Sequence, residues 1–205
     1  MTDRPNTKKR PETASQTAGP YVHIGLSPKA AGFEIYENEA GKDIAGPHAQ
    51  GERVRVEGIV WDGNGDPVKD VLIEVWQPDA QGRFAHRDLV EDGFRGWGRI
   101  ISDFDTGEWD FETVRPGAVE GGAPHLDFWI VARGINIGLH TRMYFPDVPG
   151  DLDADPVLAM LAPEERATLV AQRQEPAPQA ADGAAVTYRF DIRLQGAGET
   201  VFFDV

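Results

Sequence analysis

Residues 53–77 carry the pattern that decides the fold class, and they read RVRVEGIVWDGNGDPVKDVLIEVWQ. Within Arg53–Trp61, apolar and polar side chains alternate at first, which is the period of a strand with one buried face. Residues 62–67 are dense in Asp, Gly, Asn and Pro and therefore predict a turn. Residues 71–77 form a second apolar run, so the pair predicts a hairpin-like or Greek-key element.

The remainder of the chain predicts further short strands separated by turn residues. They fall at residues 98–103, 108–114, 125–133, 139–145, 186–194 and 200–203. Residues 22–26 also show a short strand-like alternation. One helix is predicted over 162–173, because Pro163 stands in its first turn and its acidic residues come early. With a helical turn at 156–161 and a loop at 175–183, this pattern predicts an all-β sandwich of eight or nine strands.

Size and composition bound the organisation of the chain. Gly and Pro number 23 and 15 in 205 residues, which suits many short strands joined by turns. We expect a disordered tail over residues 1–12, where apolar periodicity is missing. Residues 13–205 are expected to form a single sandwich domain, since sandwiches of this size commonly do.

Charge and cysteine content exclude several classes of function. A formal net charge of −14 argues against a general nucleic-acid binder, which needs Lys and Arg against phosphates. The chain has no Cys, so a disulfide framework, an iron–sulfur cluster and a cysteine nucleophile are excluded. No apolar run approaches the ~20 residues that span a bilayer. The N-terminal residues also lack an apolar signal segment, so a soluble, cytoplasmic protein is expected.

Common enzyme motifs are missing from the sequence. It contains no Gly-x-Ser-x-Gly, no phosphate loop and no Gly-x-Gly-x-x-Gly opening a helix. Among the five His, His125 stands two residues before Asp127 on a predicted strand. The two side chains would share one sheet face and could share a metal ion. A His and an Asp on a solvated or interface face is the simpler explanation of this pair.

Three separated segments resemble the signature of intradiol ring-cleavage dioxygenases. They are residues 74–84 (EVWQPDAQGRF), 113–117 (TVRPG) and 123–128 (APHLDF). The likeness runs from about Thr13 to the C-terminus. Residues 15–26 (SQTAGPYVHIGL) resemble in particular the alpha chains of family members that are built from two kinds of chain. The resemblance implies a transthyretin-like sandwich of the intradiol dioxygenase type.

In this family two Tyr and two His hold a non-haem ferric ion. The resemblance places these four ligand positions at Phe84, Val119, His125 and Asp127. Only one of the family's ligands is therefore kept, and Phe and Val offer no donor atom to a ferric ion, which favours anionic oxygen. The position of an active-site Arg is Gly122. The resemblance thus implies a chain with no catalytic and no metal-binding residue of its own.

The resemblance further implies a hetero-oligomer of alpha–beta pairs, in which the catalytic beta subunit binds Fe(III). The pair would cleave protocatechuate with O2 between its two hydroxylated carbons, giving 3-carboxy-cis,cis-muconate. The alpha chain would complete the substrate pocket with Thr17, Ala18, Gly19, Pro20, Tyr21 and Arg133. An Arg fork suits the substrate carboxylate, and glycine lets the backbone approach the ring. A strand-end surface cation and a plain turn are the alternative explanations of Arg133 and of Gly19–Pro20.

Two other functions remain open at this point. One is a self-sufficient intradiol dioxygenase with a rearranged metal site, which would use His125, Asp127 and either Tyr144 or His140. The other is a non-enzymatic binding module of the transthyretin-like type. Iron bound by the isolated chain, or ring cleavage by it, would favour the first. Failure to recover a dioxygenase beta chain as partner would favour the second.

Overall fold

The computed structural model describes residues 14, 16–19, 21–37, 39, 41–85, 93–175 and 185–204. Nine strands and three short α-helices make up its regular structure within these residues. The strands are β1 (Arg53–Trp61), β2 (Leu72–Trp76), β3 (Trp97–Ile101), β4 (Glu108–Val114), β5 (His125–Val131), β6 (Leu139–Tyr144), β7 (Gln172–Arg173), β8 (Val186–Arg189) and β9 (Ile192–Arg193). The predicted all-β sandwich is confirmed.

The strands form two sheets that differ in their pairing. The first sheet has the order β4-β1-β8-β7, and β9 also pairs with β1. Strand β1 runs antiparallel to β4 but parallel to β8 and β9. The second sheet has the order β3-β2-β5-β6 and is antiparallel throughout. Because β1 and β2 lie in different sheets, residues 53–77 do not form a hairpin. The turn at residues 62–67 reverses the chain direction between β1 and β2. The two strands nevertheless join different sheets, because each buries its apolar face against the shared core.

The core lies between the two sheets. Burial alternates residue by residue along β1, as its sequence predicts. Aromatic side chains fill the centre, where the rings of Trp109 and Phe128 meet edge to face at 5.9 Å. A Cβ at Gly58 would lie 2.1 Å from the carbonyl oxygen of Phe190. This close approach accompanies the break between β8 and β9, so the predicted strand 186–194 is two short strands.

The helices differ more from the predictions than the strands do. They are α1 (Tyr21–Leu26), α2 (Pro149–Ala154) and α3 (Pro163–Ala167), with a 3₁₀ helix at Leu158–Met160. The strand-like interpretation of residues 22–26 is wrong, since α1 occupies them, and α2 was not predicted. The predicted turn at 156–161 contains the 3₁₀ helix.

Helix α3 ends six residues before the predicted limit at 173. The chain leaves the helix because residues 169–171 run beside the end of β6. There the Tyr144 amide donates to the Leu169 carbonyl at 2.8 Å, and the Ala171 amide donates to the Tyr144 carbonyl at 3.0 Å. Tertiary pairing has overridden a local helical pattern.

Some predictions are answered only in part. Residues 200–203 contribute a single bridge between Phe203 and His140 instead of a strand. The expected tail at 1–12 lies outside the described residues, and the domain limits stay a prediction. No helix among the described residues is long and apolar enough to cross a membrane. The cytoplasmic location stays a prediction.

Candidate functional site

Gln77 ties together the ends of two strands that lead to the candidate site. Its buried side chain donates from Nε2 to the carbonyls of Val114 at 3.0 Å and Pro78 at 3.1 Å. The Thr113 hydroxyl donates to its Oε1. These bonds join the end of β2 to the end of β4. The Trp-Gln-Pro and Thr-Val-Arg-Pro motifs therefore have a structural role beside the site.

Asp79 shapes the loop that follows β2. Its carboxylate is 1% exposed and accepts the amides of Gln81 at 2.9 Å and Arg83 at 3.0 Å. The Arg83 Nε donates to its other oxygen at 2.8 Å. Burial disfavours the charge, but these hydrogen bonds outweigh burial and lower the pKa of Asp79. The loop is thus held by an ionised carboxylate.

Two loops come together because glycines allow it. Gly82 has a φ of +81°, and a Cβ there would lie 2.1 Å from the Ala118 carbonyl oxygen. The Gly117 amide also donates to the Asp79 carbonyl at 2.9 Å. The loop that carries Phe84 therefore packs against the loop that carries residue 119.

A cavity of about 280 Å³ lies beside these loops, at the start of β5. Phe84, Val119, His125, Asp127, Arg142 and Asp155 all contribute to its lining. The structure thus brings the four predicted ligand positions together around one space. Sequence reasoning missed Arg142 and Asp155, which have no motif and reach the cavity only through the register of β6 and the position of α2. We call this space the degenerate pocket.

Beside the degenerate pocket, side chains on β5 and β6 form a two-by-two set, of which His125, Asp127 and Arg142 line the cavity. Asp127 lies opposite Arg142, and His125 lies opposite Tyr144. The Arg142 Nε donates to Asp127 Oδ1 at 2.9 Å. His125 Nδ1 lies 2.8 Å from the Ala123 carbonyl oxygen, and its Nε2 lies 3.8 Å from Asp127 Oδ2. Burial of the imidazole lowers the pKa of His125, which favours its neutral form.

Asp155 closes the pocket from the segment after α2. This buried carboxylate accepts the amides of Ala123 at 2.8 Å and of Val157 and Leu158 at 2.9 Å each. The Tyr144 hydroxyl donates to it at 3.3 Å. Burial raises the pKa of Tyr144 to about 12, so the phenol is protonated at neutral pH. Four donors thus fix Asp155 in place.

The donor set of the degenerate pocket does not fit a ferric ion. Phe84 and Val119 offer no ligand atom, and Asp127 is already paired with Arg142. Within the described ranges, no group of three or more His, Cys, Asp or Glu side chains is placed to hold a metal ion. A Cβ at Gly122, the predicted position of the active-site Arg, would lie 3.0 Å from Asp155 Oδ2. His140, considered for a rearranged site, is not among the residues that line the cavity.

A second cluster lies past the other end of β5, and we call it the arm cluster: Thr17, Asp70, Arg133 and Gly134. The Gly134 amide donates to Thr17 Oγ1 at 2.8 Å, across 117 positions of sequence. The Arg133 Nε forms an ion pair with Asp70 Oδ2. The Arg133 side chain is 66% exposed, whereas that of Asp70 is 16% exposed. Of the predicted substrate residues, the structure therefore brings Thr17 next to Arg133.

Helix α1 anchors the N-terminal arm beside this cluster. The His23 Nε2 lies 3.1 Å from the Asp70 carbonyl oxygen, and the Arg99 Nη1 donates to the Leu26 carbonyl at 2.8 Å. Asp70, which sequence reasoning missed, therefore contacts both the arm and Arg133. It belongs to no motif, and only the docking of the arm reveals it.

The other predicted arm residues have different surroundings. Gly19 accepts the Val22 amide through its carbonyl at 3.1 Å, at the start of α1. Ala18 is half-buried, and Tyr21 is 78% exposed. Pro20 lies outside the described residues. Strand β5 runs six residue steps of about 3.3 Å each between the two clusters, which separates them by roughly 20 Å.

Comparison with known proteins agrees with this fold. A family model described as "Dioxygenase" matches residues 29–196. The protocatechuate 3,4-dioxygenase alpha chain of Pseudomonas putida is 48% identical over 95% of this chain and 96% of its own length. The beta chain of that enzyme from Burkholderia cepacia is 34% identical over 73% of this chain and 67% of its own length.

A solved structure shows the same fold. Hydroxyquinol 1,2-dioxygenase from Pseudomonas putida DLL-E4 superposes with a TM-score of 0.60 at 20% identity, over 90% of this chain and 68% of that one. The chain belongs to the intradiol ring-cleavage dioxygenase family. Within that family its likeness is to alpha chains of protocatechuate 3,4-dioxygenase, which confirms the predicted resemblance.

Proposed function

We propose that this chain is the iron-free alpha subunit of a protocatechuate 3,4-dioxygenase. The observation that carries the proposal is the degenerate pocket, whose lining side chains suit a ferric ion poorly although its family's ligand positions surround it. The similarity to alpha chains over nearly the whole length supports the same assignment. No step of the reaction uses this chain's own pocket.

The partner is a beta chain of the same enzyme, and the two form a hetero-oligomer of alpha–beta pairs. The relationship to a beta chain at 34% identity supports a shared fold for the two subunits. The beta chain supplies Fe(III). The assembled enzyme cleaves the bond between the two hydroxylated carbons of protocatechuate, both atoms of O2 enter the product, and 3-carboxy-cis,cis-muconate results.

The arm cluster is the part of this chain that serves the partner's substrate pocket. Asp70 engages the Nε side of the Arg133 guanidinium, and the side chain remains 66% exposed. Such a fixed fork suits the planar carboxylate of protocatechuate, which a strand-end Lys could bind only as a point charge. Within the described residues, the Nη groups of Arg133 make no hydrogen bond that would compete for the carboxylate.

The arm itself forms the wall beside that guanidinium. Thr17 is held by the Gly134 amide, next to Arg133 in sequence. We assign Ala18, Gly19, Pro20 and Tyr21 to the same wall. Gly19 has nothing within 4 Å of where its Cβ would be, so the chain leaves room there for a substrate or a partner surface. The arm thus shapes the pocket without supplying a reacting group.

Copurification followed by iron counting tests the proposed function. A tagged form of this chain is coexpressed with the beta subunit, and the chain is also purified alone. We expect about one iron per alpha–beta pair, and an isolated chain that is colourless and inactive, because tyrosinate-to-iron absorption needs the missing Tyr ligands. Near-stoichiometric iron on the isolated chain, or ring cleavage by it, would overturn the proposal.

A further inference from the structure

We propose that Arg142 is the resident cation of the degenerate pocket. Its guanidinium pairs with Asp127 at the cavity lining, and it keeps divalent cations out. The inference concerns this chain's own pocket and holds whether or not a beta subunit is the partner. The loss of ligand side chains alone would only weaken metal binding. This inference adds that Arg142, which is not one of the four ligand positions, actively excludes metal ions.

The register of two strands places the guanidinium. Asp127 and Arg142 are directly opposed on β5 and β6, and the Nε to Oδ1 distance is 2.9 Å. The Tyr144 phenol, two residues further along β6, is close enough to this guanidinium to help raise the pKa of Arg142. The guanidinium therefore engages the Asp127 carboxylate, an oxygen ligand that could otherwise serve a cation.

The C-terminal segment holds the guanidinium in this position. The Arg142 Cζ lies 5.8 Å from the centroid of the Phe203 ring. Phe203 is itself fixed, because its amide donates to the His140 carbonyl at 2.8 Å. The Arg142 side chain is 30% exposed. Its cation is thus held by an anion and an aromatic face at once, which a freely moving surface Arg would not be.

The charges around the pocket explain why a cation is needed. Asp127 and the buried Asp155 both line it, and Glu120 contributes a third carboxyl group. Asp155 accepts four hydrogen bonds, three of them through Oδ1, which hold its carboxylate in place. His125 Nε2 lies 3.8 Å from Asp127 and is the remaining nitrogen donor. Without Arg142, His125 and Asp127 would form a small anionic site able to attract a divalent ion.

The test titrates Co²⁺ alone into the full-length chain. We compare the wild type with Arg142→Gln, which removes the charge, and Arg142→Lys, which keeps it. Arg189→Gln is the matched control, since Arg189 also pairs with a carboxylate, Asp191, at 2.9 Å but lies outside the cavity lining. Calorimetry gives the affinity, and the visible d–d absorption of Co²⁺ reports coordination by protein ligands.

We expect Arg142→Gln to bind Co²⁺ at least about tenfold more tightly than the other three proteins, a difference of about 1.4 kcal/mol. Adding Asp127→Asn to Arg142→Gln should abolish the gain, which locates the ion in the pocket. Equal Co²⁺ binding by wild type and Arg142→Gln, or a gain that survives Asp127→Asn, would overturn the proposal.

A second variant keeps the test decisive if Arg142→Gln does not fold. Arg142→Met retains an apolar stem against Phe203 and adds no nitrogen or oxygen donor. Circular dichroism establishes that it is folded before titration. The same gain in Co²⁺ affinity is expected, and no gain in a folded Arg142→Met would contradict the proposal. Iron content of the alpha–beta complex is a separate readout, so the proposed function can fail or hold independently.

Discussion

Two Arg–Asp pairs lie at opposite ends of the sheet region around β5, and they have opposite surroundings. Arg142 and Asp127 both line a cavity, and the Arg also lies over an aromatic ring. Arg133–Asp70 lies at the surface, with the Arg 66% exposed and engaged on its Nε side. The Arg142–Asp127 pair lines a space that its family uses for a metal ion. The Arg133–Asp70 pair leaves a guanidinium exposed at the surface. The two pairs contain the same residue types. They differ in how many groups each guanidinium contacts.

The largest expected effect is at the closed end, on replacing Asp155 with Ala. Four donors would lose their acceptor in a buried place, and each unsatisfied group costs about 1–3 kcal/mol. Allowing for relaxation, we expect the free energy of unfolding to fall by about 3–5 kcal/mol, measured by urea denaturation. Asp70→Ala, at the exposed end, should lose about 1 kcal/mol or less. Similar losses of unfolding free energy for Asp155→Ala and Asp70→Ala would contradict this difference between the two regions.

A functional effect is expected at the open end, on replacing Arg133 with Ala. In the assembled alpha–beta enzyme, KM for protocatechuate should rise about 10- to 100-fold, which corresponds to a charge-assisted bond of about 1.5–3 kcal/mol. KM for catechol, which has no carboxylate, should change little. Arg133→Lys should recover part of the loss because the charge returns without the fork.

Arg173→Ala is the matched control for this measurement. Its side chain is 56% exposed and also lies near a carboxylate, with Nε 3.9 Å from Asp147. We expect it to leave both KM values unchanged. If Arg133→Ala raised KM for protocatechuate and catechol equally, the guanidinium would not be recognising the carboxylate.

The smallest expected effect depends on pH and concerns Asp79, which supports the pocket loops. Its pKa is lowered in the folded state, so the stability it contributes is present above the unfolded pKa of about 3.9 and is lost as pH falls through the folded value. Asp79→Asn should therefore lose about 1–2 kcal/mol at pH 7, with the difference from wild type shrinking below about pH 4. Urea denaturation across this pH range measures both values.

The control for this prediction is Asp70→Asn at the arm cluster. The pair of Asp70 with Arg133 is solvent-exposed on the Arg side, so its removal should cost under about 1 kcal/mol at pH 7. A difference between Asp79→Asn and wild type that stays constant from pH 7 to pH 3 would contradict the assigned role of the charge.

The strand pattern was predictable because burial on one face leaves a period of two in the sequence. Strand β1 follows that period along its whole length. Helix α1 and the early end of α3 were not predictable, since each depends on partners distant in sequence. Arg99 contacts the end of α1, and Tyr144 pairs with the residues after α3.

The candidate sites divide in the same way. The resemblance pointed to Phe84, Val119, His125 and Asp127, and the structure places all four around one cavity. Arg142, Asp155 and Asp70 could not be found from the sequence. Arg142 meets Asp127 only through the register of β5 and β6, and Asp70 meets Arg133 across 63 positions.

The sequence by itself determined the sandwich class, the family and the loss of ligand-forming side chains, because each of these is carried by local pattern or residue type. Only the tertiary structure decided that Arg142 lines a cavity while Arg133 is exposed at the surface. That outcome depends on strand register, on the docking of the N-terminal arm and on the position of Phe203. These contacts join residues far apart in the chain, and no local pattern encodes them.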